Sequence, residues 1–351
     1  MKVFHCDHCR HLVFFENTKC VQCDYTLAYV PQLGRIAAFE AAGDDLWRVP
    51  ARGLDSQTYR LCDNYSQQNV CNWAVPAQDP QRLCESCRLT LVIPNLDVPA
   101  NRDAWFKLEA AKRRLIYTLL QLHCPILSKA EDSEHGLAYE FLATGKDNGK
   151  VLTGHANGVI TVNIAEANDA ERERQRVRLH EPYRTLLGHF RHEIGHYYWD
   201  RLIAGQPRLE SFRASFGDER ADYAAALQHH YEAGPPADWQ QHFISAYAAS
   251  HPWEDWAESW AHYLHMVDML ETAAENGLLL RPPRSDEPSL SHAGSGLRAP
   301  FAQMIEKWFP LTYVLNNLNR SMGLPDGYPF VLSTPVIEKL RFIHETLAEI
   351  P

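Results

Sequence analysis

The run Arg191-His192-Glu193-Ile194-Gly195-His196-Tyr197-Tyr198-Trp199-Asp200 carries a His-Glu-x-x-His pattern inside a helix-compatible stretch from about Tyr183 to Ile203. Residues four apart on an α-helix lie one turn above each other, so His192 and His196 present two imidazoles to one point with Glu193 beside them. Two zinc ligands and an adjacent general base need that arrangement. Short patterns of this kind also arise by chance in a chain with 18 histidines, so the flanks decide. No proline interrupts residues 183–204, and Leu186, Leu187, Phe190, Ile194, Tyr197 and Trp199 supply apolar cover. Gly195 leaves one helix face bare, which predicts that a strand or substrate approaches the metal closely there.

A hydrolytic zinc takes three protein ligands and keeps one position open, so a donor is missing. Two acidic pairs with helical spacing follow downstream: Asp218 with Asp222, and Glu254 with Glu258. In either, one carboxylate can bind the ion while its neighbour a turn away accepts the free N–H of a liganding imidazole. Trp253, Trp256 and Trp260, with Ala257 and Ala261, press the Glu254/Glu258 face into a dry core, where carboxylates are costly without metal and histidine. Asp218 and Asp222 follow a glycine at an expected helix start, where acidic residues also serve as caps and dipole partners.

The cysteines speak for metal rather than disulfides. Cys6-x2-Cys9 and Cys20-x2-Cys23 are two knuckle-like pairs that together complete a four-cysteine site. Cys62, Cys71, Cys84 and Cys87 form a second expected site, giving two structural zinc ions and one catalytic. Cys124, beside Leu119, Leu120 and Leu122, reads as a small core residue. The segment between the two sets is punctuated by Pro31, Gly34, Gly43, Pro50, Gly53, Pro76 and Pro80, so it is expected to bury little by itself and to draw its folding free energy from metal.

With a net charge of −10, and nine Lys and Arg against eleven Asp and Glu in residues 1–100, no basic face is offered to phosphates. Nucleic acid is therefore not an expected partner. No apolar run reaches transmembrane length, and Met1 to Cys6 leaves no room for a signal peptide before the first cysteine pair, so the expected compartment is the cytoplasm, with no membrane association. The fold class that follows is α+β: a zinc-ribbon region over residues 1–99, then a mainly helical zincin-like domain with a short sheet over residues 100–351.

Within that second part, Asn101 or Asp103 can cap a helix carrying Trp105, Leu108, Ala111, Leu115, Ile116, Leu119 and Leu122. Leu137–Leu142 and Gly158–Ile164 read as strands, the later one with a free edge for an extended peptide. His155, His180 and His189 are isolated and are not expected to bind metal. Residues 281–288 are rich in proline and serine, the start of an expected loop of about 20 residues able to cover the cleft. Phe301, Ile305, Trp308, Phe309, Leu311, Val314, Leu315 and Leu318 then form an apolar stripe, and Val336–Leu347 closes the chain.

His192-Glu193-x-x-His196, followed 58 positions later by Glu254-x-Trp256-Ala257-Glu258-x-Trp260, resembles the gluzincin metallopeptidases, in particular the lethal-factor-like subset. The resemblance implies Glu254 as zinc ligand and Glu258 as its support. Asp218-x-x-Ala221-Asp222 resembles another zincin pattern, with Asp where Glu is usual. With its cysteine-rich head, nearly the whole chain resembles a bacterial family of zinc-binding metallopeptidases with an N-terminal zinc ribbon. That implies a peptide or protein substrate, hydrolysed by a zinc-activated water with Glu193 as base. Tyr247, Tyr263, His262 and His265 are the candidates for steadying the oxyanion. Two other functions use the same residues: a catalytically inactive adaptor, and a zinc hydrolase of a non-peptide amide.

Overall fold

A computed structural model describes residues 2–50, 57–145, 149–178, 184–292 and 299–350. The chain divides into two compact units, one of residues 2–120 and 125–172, the other of residues 121–124 and 173–351.

In the first unit, β1 (Phe4–His5) and β2 (Leu12–Val13) pair antiparallel around the first cysteine knuckle. Then β3 (Thr26–Val30), β4 (Arg35–Gly43), β5 (Leu46–Arg48), β6 (Thr58–Leu61) and β7 (Ala74–Pro76) form a five-stranded antiparallel meander in chain order. Gly34, at φ 59°, closes the turn between β3 and β4, and its N–H donates to Pro31 O. The short helix α1 (Asp63–Ser66) sits between β6 and β7. Ala28, Val30, Ala37, Phe39, Tyr59 and Ala74 make a buried cluster on this sheet. This corrects the expectation that the segment buries little: prolines and glycines space short strands, and adjacent strands supply the apolar face that no single one has.

A second sheet follows. β8 (Thr90–Val92), β9 (Ala138–Leu142), β10 (Gly154–Ala156) and β11 (Val159–Asn163) lie in the order β10-β11-β9-β8, with β9 parallel to both β8 and β11. The crossover from β8 to β9 contains α2 (Pro99–Gln121), which begins at Pro99 rather than at Asn101 or Asp103, since proline is well placed in a first turn. Trp105, Leu108, Leu115, Ile116 and Leu119 are buried as the periodicity predicts. β11 is an inner strand, with β10 and β9 on its two sides. The free edge expected of it for peptide pairing is therefore already occupied.

The chain passes through α3 (Asp169–Arg178) into the helical unit. There α4 (Leu186–Leu202) starts at Thr185, whose hydroxyl oxygen accepts from Gly188 N–H at 3.0 Å. α5 (Leu209–Phe216) and α6 (Tyr223–Ala233) follow, then α7 (Pro252–Glu275), α8 (Phe301–Ser321) and α9 (Thr334–Ala348). α7 is the core of the unit, burying Trp256, Ala257, Trp260, Ala261, Tyr263, Leu264 and Met266. Its start is shaped by His251, whose Nδ1 accepts from Trp253 N–H, and by Pro252 in the first turn.

Gly195 is used differently from the expectation. A Cβ there would stand 3.0 Å from Ala257 Cα and 3.2 Å from Trp260 Cβ, so the close neighbour is α7, not a strand or a substrate. Trp256 Nε1 donates to Gly195 O at 2.8 Å across the same contact. The missing side chain lets α4 and α7 approach far enough for residues on both to reach one point. In α8, Phe301, Met304, Trp308 and Leu311 are buried, while Phe309 and Leu318 are 47% and 60% exposed, so the apolar stripe is wider than the face that the helix buries. Leu280 and Leu290 pair by two backbone hydrogen bonds, which closes the Pro- and Ser-rich excursion into a short loop. Residues 293–298 of the longer expected loop lie outside the described residues.

Candidate metal centre

α4 contributes His192 and His196 and α7 contributes Glu254, and one donor atom of each lies within 4.8 Å of the other two. His192 Nε2 stands 3.2 Å from His196 Nε2 and 3.0 Å from Glu254 Oε2, and His196 Nε2 is 3.5 Å from that same oxygen. A tetrahedral zinc with bonds of roughly 2.0–2.1 Å to nitrogen and oxygen separates its ligands by about 3.3 Å. Three lone-pair atoms at that spacing repel one another unless a cation stands among them, and His196 and Glu254 are almost fully buried. The donor set thus fits a zinc ion.

Electrostatics agree with the geometry. Burial works against a charge on His192, but its hydrogen bonds with Glu254 and Glu258 outweigh burial and hold it well above the usual histidine range. Burial likewise opposes the Glu254 charge, yet His196 and His192 keep that carboxyl well below its ordinary value. Glu258 is lowered to about 2, against its burial, chiefly by the His192 hydrogen bond. Two carboxylates in this dry place call for positive charge, which either a proton or a divalent cation supplies.

Glu258 lies one turn beyond Glu254, and its Oε1 meets His192 Nδ1 at 2.7 Å. It therefore holds the ring by the nitrogen that faces away from the donor cluster, fixing orientation and tautomer. Ser245 hydroxyl donates to Glu258 Oε2 at 2.7 Å and accepts from Ala248 N–H at 3.0 Å. Tyr223 hydroxyl donates to Glu254 Oε1 at 2.5 Å. Trp253 lies over His196 with ring centroids 3.8 Å apart.

Glu193 is half-buried and close enough to Tyr223 and Tyr247 that its carboxylate helps raise both phenols. For each of them burial is the larger cause. Both phenols therefore stay protonated and can donate. Of the four residues considered for the oxyanion, Tyr247 is beside the cluster, its ring centroid 5.9 Å from that of His192. The others are engaged elsewhere: Tyr263 with His344, His262 with Tyr328, and His265 with Arg191.

Asp218 and Asp222 do not share a helix. α5 ends at Phe216, Asp218 is an exposed partner of Arg220, and Asp222 caps α6 by accepting from Ala225 N–H at 3.0 Å. Neither belongs to the donor group formed by His192, His196 and Glu254. The sequence reading passed over Tyr223 and Ser245. The one signal for Tyr223 was its place directly after Asp222: the cap that mimics a ligand is what starts the helix presenting the phenol. A lone serine such as Ser245 carries no local signal.

The cysteines gather as their spacing predicts, Cys6, Cys9, Cys20 and Cys23 in one group and Cys62, Cys71, Cys84 and Cys87 in another. Sulfur atoms stand 3.7 Å apart for Cys6 and Cys23, 3.6 Å for Cys9 and Cys20, and 3.8 Å for Cys71 and Cys84. Zinc–sulfur bonds of roughly 2.3 Å put tetrahedral sulfurs about 3.8 Å apart, whereas a disulfide would be about 2.05 Å. The second group is buried throughout, and the buried guanidinium of Arg113 faces Cys71, Cys84 and Cys87. Four thiolates on one Zn²⁺ carry net negative charge, and Arg113 offsets it where water cannot. Cys124 is buried, with its thiol pushed up to about 12 by burial, and is a core residue. His155 Nε2 accepts from Gly158 N–H in a turn, and His180 lies outside the described residues.

Two four-thiol clusters and a mixed histidine–carboxylate cluster place the chain among the zinc metalloproteins. Comparison with known families gives the particular one. Residues 101–346 match the family model described as "Putative zinc-binding metallo-peptidase", and residues 3–98 match a zinc-ribbon domain. The chain belongs to this zinc-binding metallo-peptidase family. An uncharacterized protein of Mycobacterium bovis and two of Mycobacterium tuberculosis are each 45% identical over 351 residues, which is all of this chain and 96% of the relative. No solved structure gives a significant match. Among the described residues, no helix is long and apolar enough to cross a membrane.

Proposed function

We propose that the chain is a zinc-dependent peptidase of the gluzincin type, with His192, His196 and Glu254 holding the catalytic ion and Glu193 acting as general base. The observation that carries this is the convergence of three donors, 3.0–3.5 Å apart and two of them buried, with a carboxylate one residue along from the first of them. Bound zinc would polarise a peptide carbonyl and lower the pKa of water from about 15.7 towards roughly 7. Glu193 takes the proton from that water and passes it to the leaving amine. Glu258 keeps His192 in the tautomer whose Nε2 is free to bind metal, and Ser245 keeps Glu258 in place. Tyr247, protonated and beside His192, is the donor placed to steady the oxyanion.

The substrate class is peptide or protein, the two cysteine groups hold structural zinc, and a reducing compartment such as the cytoplasm suits their eight thiols. Residues 1–99 serve as the zinc-ribbon head and residues 100–351 as the catalytic body. The test is Glu193→Gln assayed against a quenched peptide library. Zinc content should stay unchanged while turnover falls about 10²–10⁴-fold, the usual contribution of a general base. Full turnover in that variant would remove Glu193 from the mechanism.

A further inference from the structure

Glu254 and Glu258, one turn apart on α7, divide their oxygens in the same way. Glu258 gives one oxygen to His192 and the other to the Ser245 hydroxyl. Glu254 turns Oε2 to the two histidines and gives Oε1 to the Tyr223 hydroxyl, 2.5 Å away. For Glu258 this pins a supporting group. For Glu254 it limits which of its atoms can reach the ion.

The placement of Tyr223 is built by more than one contact. Asp222 caps α6, so Tyr223 is the first helical residue. The carbonyl of Ala221, two residues before Tyr223, is 3.1 Å from His251 Nε2, and His251 is also the cap of α7. The first turns of α6 and α7 are thereby tied together on either side of the Tyr223–Glu254 bond. α6 fully buries none of its residues, and its first turn is held where the Tyr223 ring packs edge-on against His251 and Trp253.

We propose that Tyr223 is a positioning residue for the metal. Its hydroxyl occupies Oε1, so Oε2 is the oxygen that Glu254 would offer to an ion, which would leave a position for water or substrate. A carboxylate with both oxygens unengaged can chelate, which would add a fourth protein donor and close the site. The bond that prevents this joins a phenol to a buried carboxylate, and hydrogen bonds to an ionised acceptor are the strong ones. The proposal rests on the reading of His192, His196 and Glu254 as the metal set.

The test is Tyr223→Phe, which keeps the ring and removes only the hydroxyl. The residue is 37% exposed, so the substitution leaves no buried cavity. Full-length protein with zinc in its cysteine sites is loaded with Co²⁺, and the visible spectrum is taken against the His192→Ala/His196→Ala double variant. Wild type should give a strong four-coordinate band that the double variant lacks. Tyr223→Phe should give a weaker five-coordinate spectrum and bind acetohydroxamate about tenfold less tightly, the low end of effects for groups that orient a ligand. An unchanged spectrum and unchanged hydroxamate affinity would mean that Tyr223 only anchors α6, and the proposal would fall alone. A wild type without the histidine-dependent band would remove the metal reading and the proposal with it.

Discussion

The cysteine clusters and the histidine cluster gather metal-binding donors in opposite arrangements, one closed and one open. The first cysteine group brings four thiols together from two stretches of chain and the second from three, and the second is wholly buried with Arg113 near it. Such a site leaves no position open and contributes directly to folding. The histidine group has three donors, with the carboxylate of Glu193 next in sequence to the first of them. It is assembled by two helices that pack through Gly195, Ala257 and Trp260. On the function proposed above, donor number is what separates a metal that makes a structure from one that does chemistry in it.

This contrast can be broken most severely at the buried cysteines. Cys84→Ser should cost the first unit its cooperative fold, since structural zinc contributes about 10–16 kcal/mol of apparent binding free energy in small domains. Loss of the sharp thermal transition, with the chain turning aggregation-prone, is the expected readout. If the variant melted like wild type, the zinc-dependent part of the comparison would be wrong.

Removing the histidine pair should do the reverse. In His192→Ala/His196→Ala, zinc per chain measured by plasma mass spectrometry should fall from three to two, with peptide turnover abolished. The thermal transition of the cysteine-bearing unit should stay in place. Two zinc ions in both proteins would instead favour an adaptor without a catalytic centre.

A smaller effect is expected where the two helices touch. Gly195→Ala inserts a carbon 3.0 Å from Ala257 Cα, a backbone atom that cannot rotate away. Overpacking of this kind costs about 1–3 kcal/mol. Chemical denaturation should register that loss, and zinc affinity at the histidine site should drop with it while the cysteine sites keep theirs. Equal loss at all three sites would show that Gly195 acts on general stability alone.

The mildest change sharpens the comparison from within the histidine site. Ser245→Ala leaves Glu258 Oε2 without its donor, and ligand-orienting partners of this sort alter metal affinity about 10–100-fold. A competition titration with a chelator should show weaker zinc binding, restored by Ser245→Thr. Unchanged affinity in the alanine variant would place Ser245 outside the support of the metal.

Legibility in the sequence followed the length of chain over which each feature is built. Cys6-x2-Cys9 and Cys20-x2-Cys23 make half a site each within four residues, and a pair of histidines at helical spacing needs only one turn. The five-stranded meander was missed because each strand is too short to show a period, and its core exists only across strands. β11 was assigned as a strand, but its inner position depends on β10 and β9, which lie on both sides of it. Asp222 has the spacing of a ligand and the chemistry of a cap, and in the fold it caps the start of α6.

Types of donor and their local spacing are properties of the chain itself, because a turn of helix or a metal knuckle is set by backbone geometry over a few residues. Family resemblance then pointed to Glu254 across 58 positions. Which carboxylate oxygen faces the histidines, which phenol and which serine hold the other oxygens, and why Gly195 must be glycine were decided only when α4, α6 and α7 packed. Those contacts join residues 13 to 66 positions apart, and no short-range rule of sequence couples them.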